Sequence, residues 1–478
     1  MTAPVPISAT TTPHGDASLR SVNLWTAAFS GALGGLLFGY DWVVIGGAKP
    51  FYEIYFHLTS PRLQGWAMSC ALIGCLAGAV AAGRLSDRFG RRRLLMLSGL
   101  IFAASSLGTA LVAHFVVFVL WRILGGFAIG LASGVCPMYI AEISPAHLRG
   151  RLVSLNQLAI VIGILLAQVV NWLIARPVPT GATPAEILAS WNGQSGWRWM
   201  FGVTAVPSAL FIIATFLVPE SPRWLAGKGR HEEAHDVLAR LGGDSYASQV
   251  MDDFLKASGE QNSVSLWREL ARPGVARALV LGLVLAVLQQ WCGINVIFNY
   301  AQEIFAAAGY QISGILFNIV ITGAVNVLCT LLALAAIDRF GRRILLIVGT
   351  AGLAAIYIVL GIFYRLHFHG IPMLALVLAA IACYAMSLAP VTWVVISEIF
   401  PNRIRAGAVS IAVTALWIAC FELTYTFPLL NAALSTAGVF FLYASICVAG
   451  LVYLFLRLPE TRNRTLEEIE TSLRGTEQ

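Results

Sequence analysis

Apolar stretches close to one bilayer crossing in length, each ended by charge, Pro or Gly, dominate the chain. They fall at roughly 23–46, 64–83, 93–113, 116–140, 152–175 and 197–218, then at 276–300, 312–336, 343–364, 371–397, 406–430 and 436–457. The pattern predicts an all-α membrane protein of twelve transmembrane helices in two six-helix halves. Between the halves the pattern changes. Residues 231–241, HEEAHDVLARL, carry Ala234, Val237, Leu238 and Leu241 on one helical face and charge on the other. That segment reads as a small helical domain outside the bilayer. The predicted organisation is a tail at 1–22, a first half at 23–218, a linker domain at 219–275, a second half at 276–457 and a tail at 458–478.

Charge sets the orientation. Arg84, Arg88, Arg91–Arg93, Arg149, Arg151, Arg339, Arg342, Arg343, Arg403 and Arg405 all sit in loops on one side. The loops opposite hold only scattered charges such as Lys49, Arg62 and Arg176. Lys and Arg accumulate in cytoplasmic loops, so both termini are predicted to be cytoplasmic, with the chain a multi-pass protein of the plasma (inner) membrane. Met1–Arg20 is rich in Thr, Pro and Ser, has no charged start before an apolar core, and reads as a disordered tail rather than a secretory signal.

Composition narrows the function. Of 478 residues, 58% are hydrophobic and 12% charged, and mean hydropathy is +0.77. An ordinary soluble domain carries about 25% charge, and a disordered chain lacks apolar residues. The net charge of +7 lies in clusters between spans, not in a stripe with interleaved aromatics, so no nucleic-acid partner is predicted. The cysteines Cys70, Cys75, Cys136, Cys292, Cys329, Cys383, Cys420 and Cys447 all lie in apolar segments without a C-x-x-C pair. They read as small hydrophobes, with neither zinc nor disulfides expected. No metal-ligand cluster, nucleophile–base set or phosphate loop appears, so neither an enzyme nor a cofactor or metal is predicted. His114, His367 and His369 read as solvated. Gly31/Gly35/Gly39 and Gly126/Gly130/Gly134 fit close helix packing.

An internal repeat is the most informative feature. DRFGRR occurs at Asp87–Arg92 and again at Asp338–Arg343. Glu142-Ile-Ser-Pro145 is echoed by Glu398-Ile-Phe-Pro401, each with an arginine seven residues after the glutamate, Arg149 and Arg405. PESPRWL from Pro219 and PETRNRTL from Pro459 close the two halves. Two such halves meet at the bilayer midplane, where a site can face each side in turn.

Together with GGLLFGYDWVVIGG (Gly34–Gly47), GRLSDRFGRRR (Gly83–Arg93), WRILGGFAIGL (Trp121–Leu131), the run Pro137–Gln168, QQWCGINVIFNYA (Gln289–Ala301) and PVTWVVISEIFPNRIR (Pro390–Arg405), these motifs identify the chain by resemblance. Over nearly its full length it resembles the sugar porter family of the major facilitator superfamily. Bacterial D-xylose–proton symporters are the nearest group and facilitative glucose transporters the next. The resemblance implies the major facilitator fold, acting as a monomer, and alternating-access transport of a monosaccharide, D-xylose or D-glucose or another hexose, by proton symport. A facilitative uniporter is the alternative. A transporter-like sugar sensor fits less well, because such sensors carry long cytoplasmic extensions.

A sugar site needs amides, hydroxyls and an aromatic face, and polar residues inside spans are costly enough to be functional candidates. The set here is Gln157, Gln168, Gln289, Gln290, Asn295, Asn299, Asn326, Trp393 and Trp417. Gln157 and Gln168 share a helical face, and Gly293 permits a break beside Gln289, Gln290 and Asn295. By resemblance, Gln157, Gln289, Gln290, Asn295, Asn326 and Trp393 match sugar-contacting positions. Three residues depart from the family pattern: Leu416 stands where Gln or Asn often precedes the tryptophan, Asn299 replaces an aromatic, and Ala389 replaces a glycine.

Asp41 is an acid within the first span, and Arg122 in the fourth is its expected partner. Protonation of Asp41 would free Arg122, and ionisation would pair them, which makes a proton switch. Family symporters have Asp at this position and facilitators commonly have Asn, so the resemblance points the same way. Asp87, Arg88, Arg91, Arg92, Glu142, Arg149, Glu220, Asp338, Arg339, Arg342, Arg343, Glu398, Arg405 and Glu460 are expected to form ion pairs between the halves that latch the outward-facing state.

Overall fold

A computed structural model describes residues 21–145, 148–259, 269–270, 272–400 and 404–459, and among them the regular structure is helical with no strand. In the first half α1 is Ser21–Tyr55, α2 Pro61–Phe89, α3 Arg91–Leu111, α4 Phe115–Ile143 and α5 Arg149–Ile174. After the short α6, Pro184–Ala189, the sixth span is built from a π turn at Asn192–Gly196, α7 (Trp197–Gly202) and α8 (Ala205–Leu217). Thr183 and Glu186 form a capping box on α6. The bonds that Thr183 donates from its backbone N–H and hydroxyl hold the Glu186 carboxyl below its usual range.

In the second half α11 (Pro273–Trp291) and α12 (Ile294–Asn299) make one discontinuous span, followed by α13 (Ala301–Ala307). Gly293, at φ +85°, lets the chain turn between α11 and α12. Next come α14 (Ile312–Phe340), α15 (Arg342–Arg365), a second discontinuous span of α16 (Ile371–Met386) and α17 (Leu388–Glu398), and α18 (Arg405–Arg457). Eleven helical stretches among the described residues are long and apolar enough to cross a membrane. The last, Gly407–Arg457, has 51 residues, about 75 Å of helix against a hydrocarbon core of about 30 Å. It turns back at the non-helical Ser435 and so supplies two spans, which gives the twelve expected.

The repeated motif has one structural meaning in both halves. Gly90 and Gly341 take φ +94° and +87° between successive helices, the conformation that glycine adopts without strain. Within the first half, glycines bring helices into backbone contact. A side chain at Gly126 or Gly130 on α4 would collide with the carbonyls of Ala71 and Cys75 on α2, and one at Gly39 on α1 with that of Ile160 on α5.

The segment after α8 contributes α9 (Pro222–Gly227) and α10 (His231–Gly259), the latter kinked at Gly243. Its predicted apolar face, Ala234, Val237, Leu238 and Leu241, is buried against Leu24, Ala28, Ile140 and Leu152, so this segment rides on the first half. The halves meet at the arginine-poor end. There α1 approaches α12 and α13, α2 approaches α18, and α5 approaches α14. A side chain at Gly65 would strike the Tyr425 carbonyl, the Trp172 and Phe317 rings pack at a tilt with centres 5.8 Å apart, and Val178 N–H donates to Ser313 Oγ at 3.2 Å.

Candidate functional site

Asp41 and Arg122 are each 4% exposed, and Arg122 Nη1 donates to Asp41 Oδ1 at 2.8 Å. Glycine-mediated packing of α1 and α4 against their neighbours holds the two side chains inside the first half. The guanidinium also lies 5.3 Å from the Phe201 ring centre, a cation–π contact. Two of the pair's polar atoms, Asp41 Oδ2 and Arg122 Nε, are buried and unpartnered. Both residues line a cavity of about 20 Å³ that reaches the second half at Asn299 and Thr424.

The two discontinuous spans come together around the polar cluster. Gln289 Nε2 donates to the carbonyls of Leu388 and Ala389 at 3.2 Å each, beside the break before α17. Its Oε1 is buried and unpartnered. Asn295 donates to Gln290 and, at 3.8 Å, to Cys420 Sγ. These amides therefore satisfy one another in the α11–α12 region while leaving acceptor capacity free. Trp417 on α18 is buried against Phe38 and Trp42 on α1, with ring centres 5.9 and 6.1 Å away, an aromatic floor shared between the halves.

Gln168 on α5 is 1% exposed, its two amide atoms are both unpartnered, and it presses on Gly323 of α14. Asn326, one turn beyond Gly323, is buried as well. These residues are brought to the interface. Gln157, about three turns along α5 toward the arginine-rich end, is half-buried, and Trp393 on α17 is 38% exposed. The structure does not join these two to the buried cluster.

One polar group was missed by reading along the chain. Lys49, expected in a loop, is 2% exposed inside α1, because α1 continues nine residues beyond the predicted end at 46. Its Nζ pairs with Glu53 at 3.0 Å and with Glu303 of α13 across the interface. It also lies 5.4 Å from the centre of the Tyr300 ring, whose hydroxyl donates to the Thr424 carbonyl at 2.6 Å. The i, i+4 spacing of Lys49 and Glu53 was the available signal.

At the arginine-rich end the expected pairs close differently. Arg91 makes two 2.9 Å bonds to Glu142 and pairs with Asp87 at 3.1 Å. Glu220 accepts from the backbone N–H of Arg91 and Arg92, while the Arg92 side chain donates to the carbonyls of Thr215 and Phe216. Arg88 rests on Phe89, and Arg149 is exposed. In the second half Arg342 pairs with Glu398 at 3.4 Å, Arg343 donates to the Phe455 carbonyl, Arg405 to that of Phe400, and Arg339 rests on Phe340. Arg91–Glu142 and Arg342–Glu398 thus join helices of the same half, where pairs between the halves were expected. The reason is geometric: α1, α2 and α5 meet the second half at the opposite end. Glu460 and the side chain of Asp338 lie outside the described residues.

Residues 27–473 match the family model described as "Sugar (and other) transporter". The chain is 37% identical to the D-xylose-proton symporter of Escherichia coli strain K12, covering 94% of this chain and 96% of that protein. It is 37% identical to the arabinose-proton symporter of Bacillus subtilis, covering 92% of each. The solved inward open conformation of the xylose transporter XylE from E. coli superposes with a TM-score of 0.82 at 34% identity, covering 94% of this chain and 99% of that one.

Proposed function

The chain belongs to the sugar transporter family, with the twelve-helix major facilitator fold, and from that premise we propose that it is a monosaccharide:proton symporter working by alternating access in the plasma membrane. The observation that carries this reading is the buried Asp41–Arg122 pair, held in one half and lining a cavity that touches the other. A uniporter has no use for an acid kept out of water at such cost. Gln168, Gln289, Gln290, Asn295, Asn326 and Trp417 are the groups we assign to the sugar, with Gln157 and Trp393 joining as the halves rock. All offer neutral donors, acceptors or a ring face, which suits an uncharged polyhydroxylated ligand. D-Xylose and D-glucose are the leading substrates.

Both termini, the tails 1–22 and 458–478, and the linker 219–275 are assigned to the cytoplasm, because the arginine-rich end faces that side. The conformation then is inward-facing: contacts between the halves close the outer end. Ionised Asp41 is held by Arg122; a proton arriving at Asp41 removes that attraction and frees the guanidinium. In the outward-facing state the arginine and glutamate sets 87–92, 142–149 and 338–343, 398–405 approach one another and supply the inner latch.

Each proton entering down 100 mV supplies about 2.3 kcal/mol, enough for nearly fifty-fold accumulation of sugar. Uptake of labelled D-xylose and D-glucose into proteoliposomes, with and without an inward proton gradient, tests the proposal. Accumulation above the external concentration is expected for at least one sugar. Equilibration that ignores the gradient would make the protein a uniporter.

A further inference from the structure

Three residues that line the same small cavity each carry a buried polar atom without a partner: Asp41 Oδ2 and Arg122 Nε from the first half, and Asn299 Oδ1 from the second. The cavity measures about 20 Å³. A water needs about 10–15 Å³ and two to four polar partners to be held inside a protein. The site offers room for one water and three partners of the right kind. Arg122 Nε–H is a donor, the carboxylate oxygen an acceptor, and the Asn299 amide an acceptor in the orientation found here.

Asn299 also sits where the two halves touch. It is the last residue of α12, next to the bend at Tyr300. A Cβ at Gly46 on α1 would come within 3.1 Å of the carbonyl oxygens of both Phe298 and Asn299. The Asp41–Arg122 pair itself lies wholly within the first half, so it needs some polar route to report its charge across the interface. Ile45, Met68, Leu72 and Ile129 around the cavity are apolar, and the other polar side chain from the second half, Thr424, is hydrogen-bonded to Cys420.

We propose that Asn299 is the positioning residue that couples Asp41 to the second half, through one water held by Asp41, Arg122 and Asn299. The inference deepens the symport reading and rests on it. With Asp41 ionised, the water accepts from Arg122 Nε–H and donates one hydrogen to Oδ2 and the other to Asn299. A proton added to Oδ2 turns that oxygen from acceptor to donor. The water then receives two bonds and keeps one acceptor, Asn299, for its two hydrogens. The water's bond to Oδ2 therefore reverses direction whenever the proton comes or goes, so the water must reorient against Asn299, and no other atom is transferred.

The test compares wild type with Asn299→Leu and Asn299→Ser in proteoliposomes. Two quantities are read: accumulation of D-xylose and D-glucose at a fixed inward proton gradient, and the half-saturation of sugar counterflow without a gradient. Loss of a bridging bond is expected to lower accumulation by Asn299→Leu about tenfold. Half-saturation is expected to move less than about threefold, and serine, which keeps a hydroxyl, to recover most of the accumulation. Asn299→Val gives the same reading should the leucine variant fail to fold. Accumulation equal to wild type in the apolar variants would overturn the proposal. So would a rise in half-saturation matching the lost accumulation, which would make Asn299 a sugar ligand. Failure of wild type to accumulate any sugar would instead sink the symport reading, before the variants are compared.

Discussion

Two ion pairs share α1 and differ in what they join. Asp41 reaches Arg122 on α4, inside the first half, at 2.8 Å. Lys49, eight residues later, reaches Glu303 on α13 in the second half, with Glu53 as a second carboxylate at 3.0 Å. The first pair can change its charge without holding the halves together. The second must break before the arginine-poor end can open. On the proposed symport cycle, sensing and gating would sit about two helical turns apart on one helix. The difference in partners separates the two roles.

The largest expected effect is at the first pair. Arg122→Leu leaves Asp41 buried without a partner, a loss of about 3–5 kcal/mol when one member of a buried pair is removed. The thermal midpoint of the purified protein should fall sharply and accumulation should vanish. Adding Asp41→Asn to that variant should recover much of the midpoint and none of the accumulation. Recovery of both would reduce the pair to a structural tie.

At the second pair, Lys49→Met leaves two carboxylates facing each other without a cation. The arginine-poor end should open more often, read as faster labelling of a cysteine placed at Trp172 by a membrane-impermeant thiol reagent. Lys49→Glu combined with Glu303→Lys keeps the same charges and should restore the slow labelling. The corresponding exchange, Asp41→Arg with Arg122→Asp, should leave accumulation abolished, because it moves the titrating group to another helix. Restoration of transport by both exchanges would erase the distinction between sensor and gate.

Smaller effects should come from the contacts around the pairs. Gln289→Ala removes the bonds to Leu388 and Ala389 and the free Oε1. About 1.4 kcal/mol lost with a polar partner corresponds to a tenfold rise in sugar half-saturation. Gly46→Ala brings a Cβ to 3.1 Å from two carbonyls, so closure should weaken by about 1 kcal/mol and slow transport severalfold.

Most of the fold was legible because a bilayer imposes length and apolarity on every span. The twelve stretches, the Gly293 break and the amphipathic face of residues 231–241 all follow from local pattern. Lys49 escaped because apolar runs are read as ending at charge, while its partner Glu303 lies 254 residues away. The Asp87–Glu142 and Asp338–Glu398 sets were visible as repeats, but repetition does not say which half a partner comes from. Arg91 and Arg342 take their glutamates from their own halves, a matter of conformation that local pattern does not carry. Asn299 was legible as a departure and not as a contact, since its neighbours Asp41 and Arg122 belong to distant helices.

Asp41 is the residue we assign to the proton. Asp41→Asn in proteoliposomes, compared with wild type for gradient-driven accumulation and for gradient-free counterflow of the same sugar, tests that assignment most directly. Accumulation should fall to equilibration while counterflow persists. Accumulation that survives in Asp41→Asn would contradict the assignment and move the proton to another group.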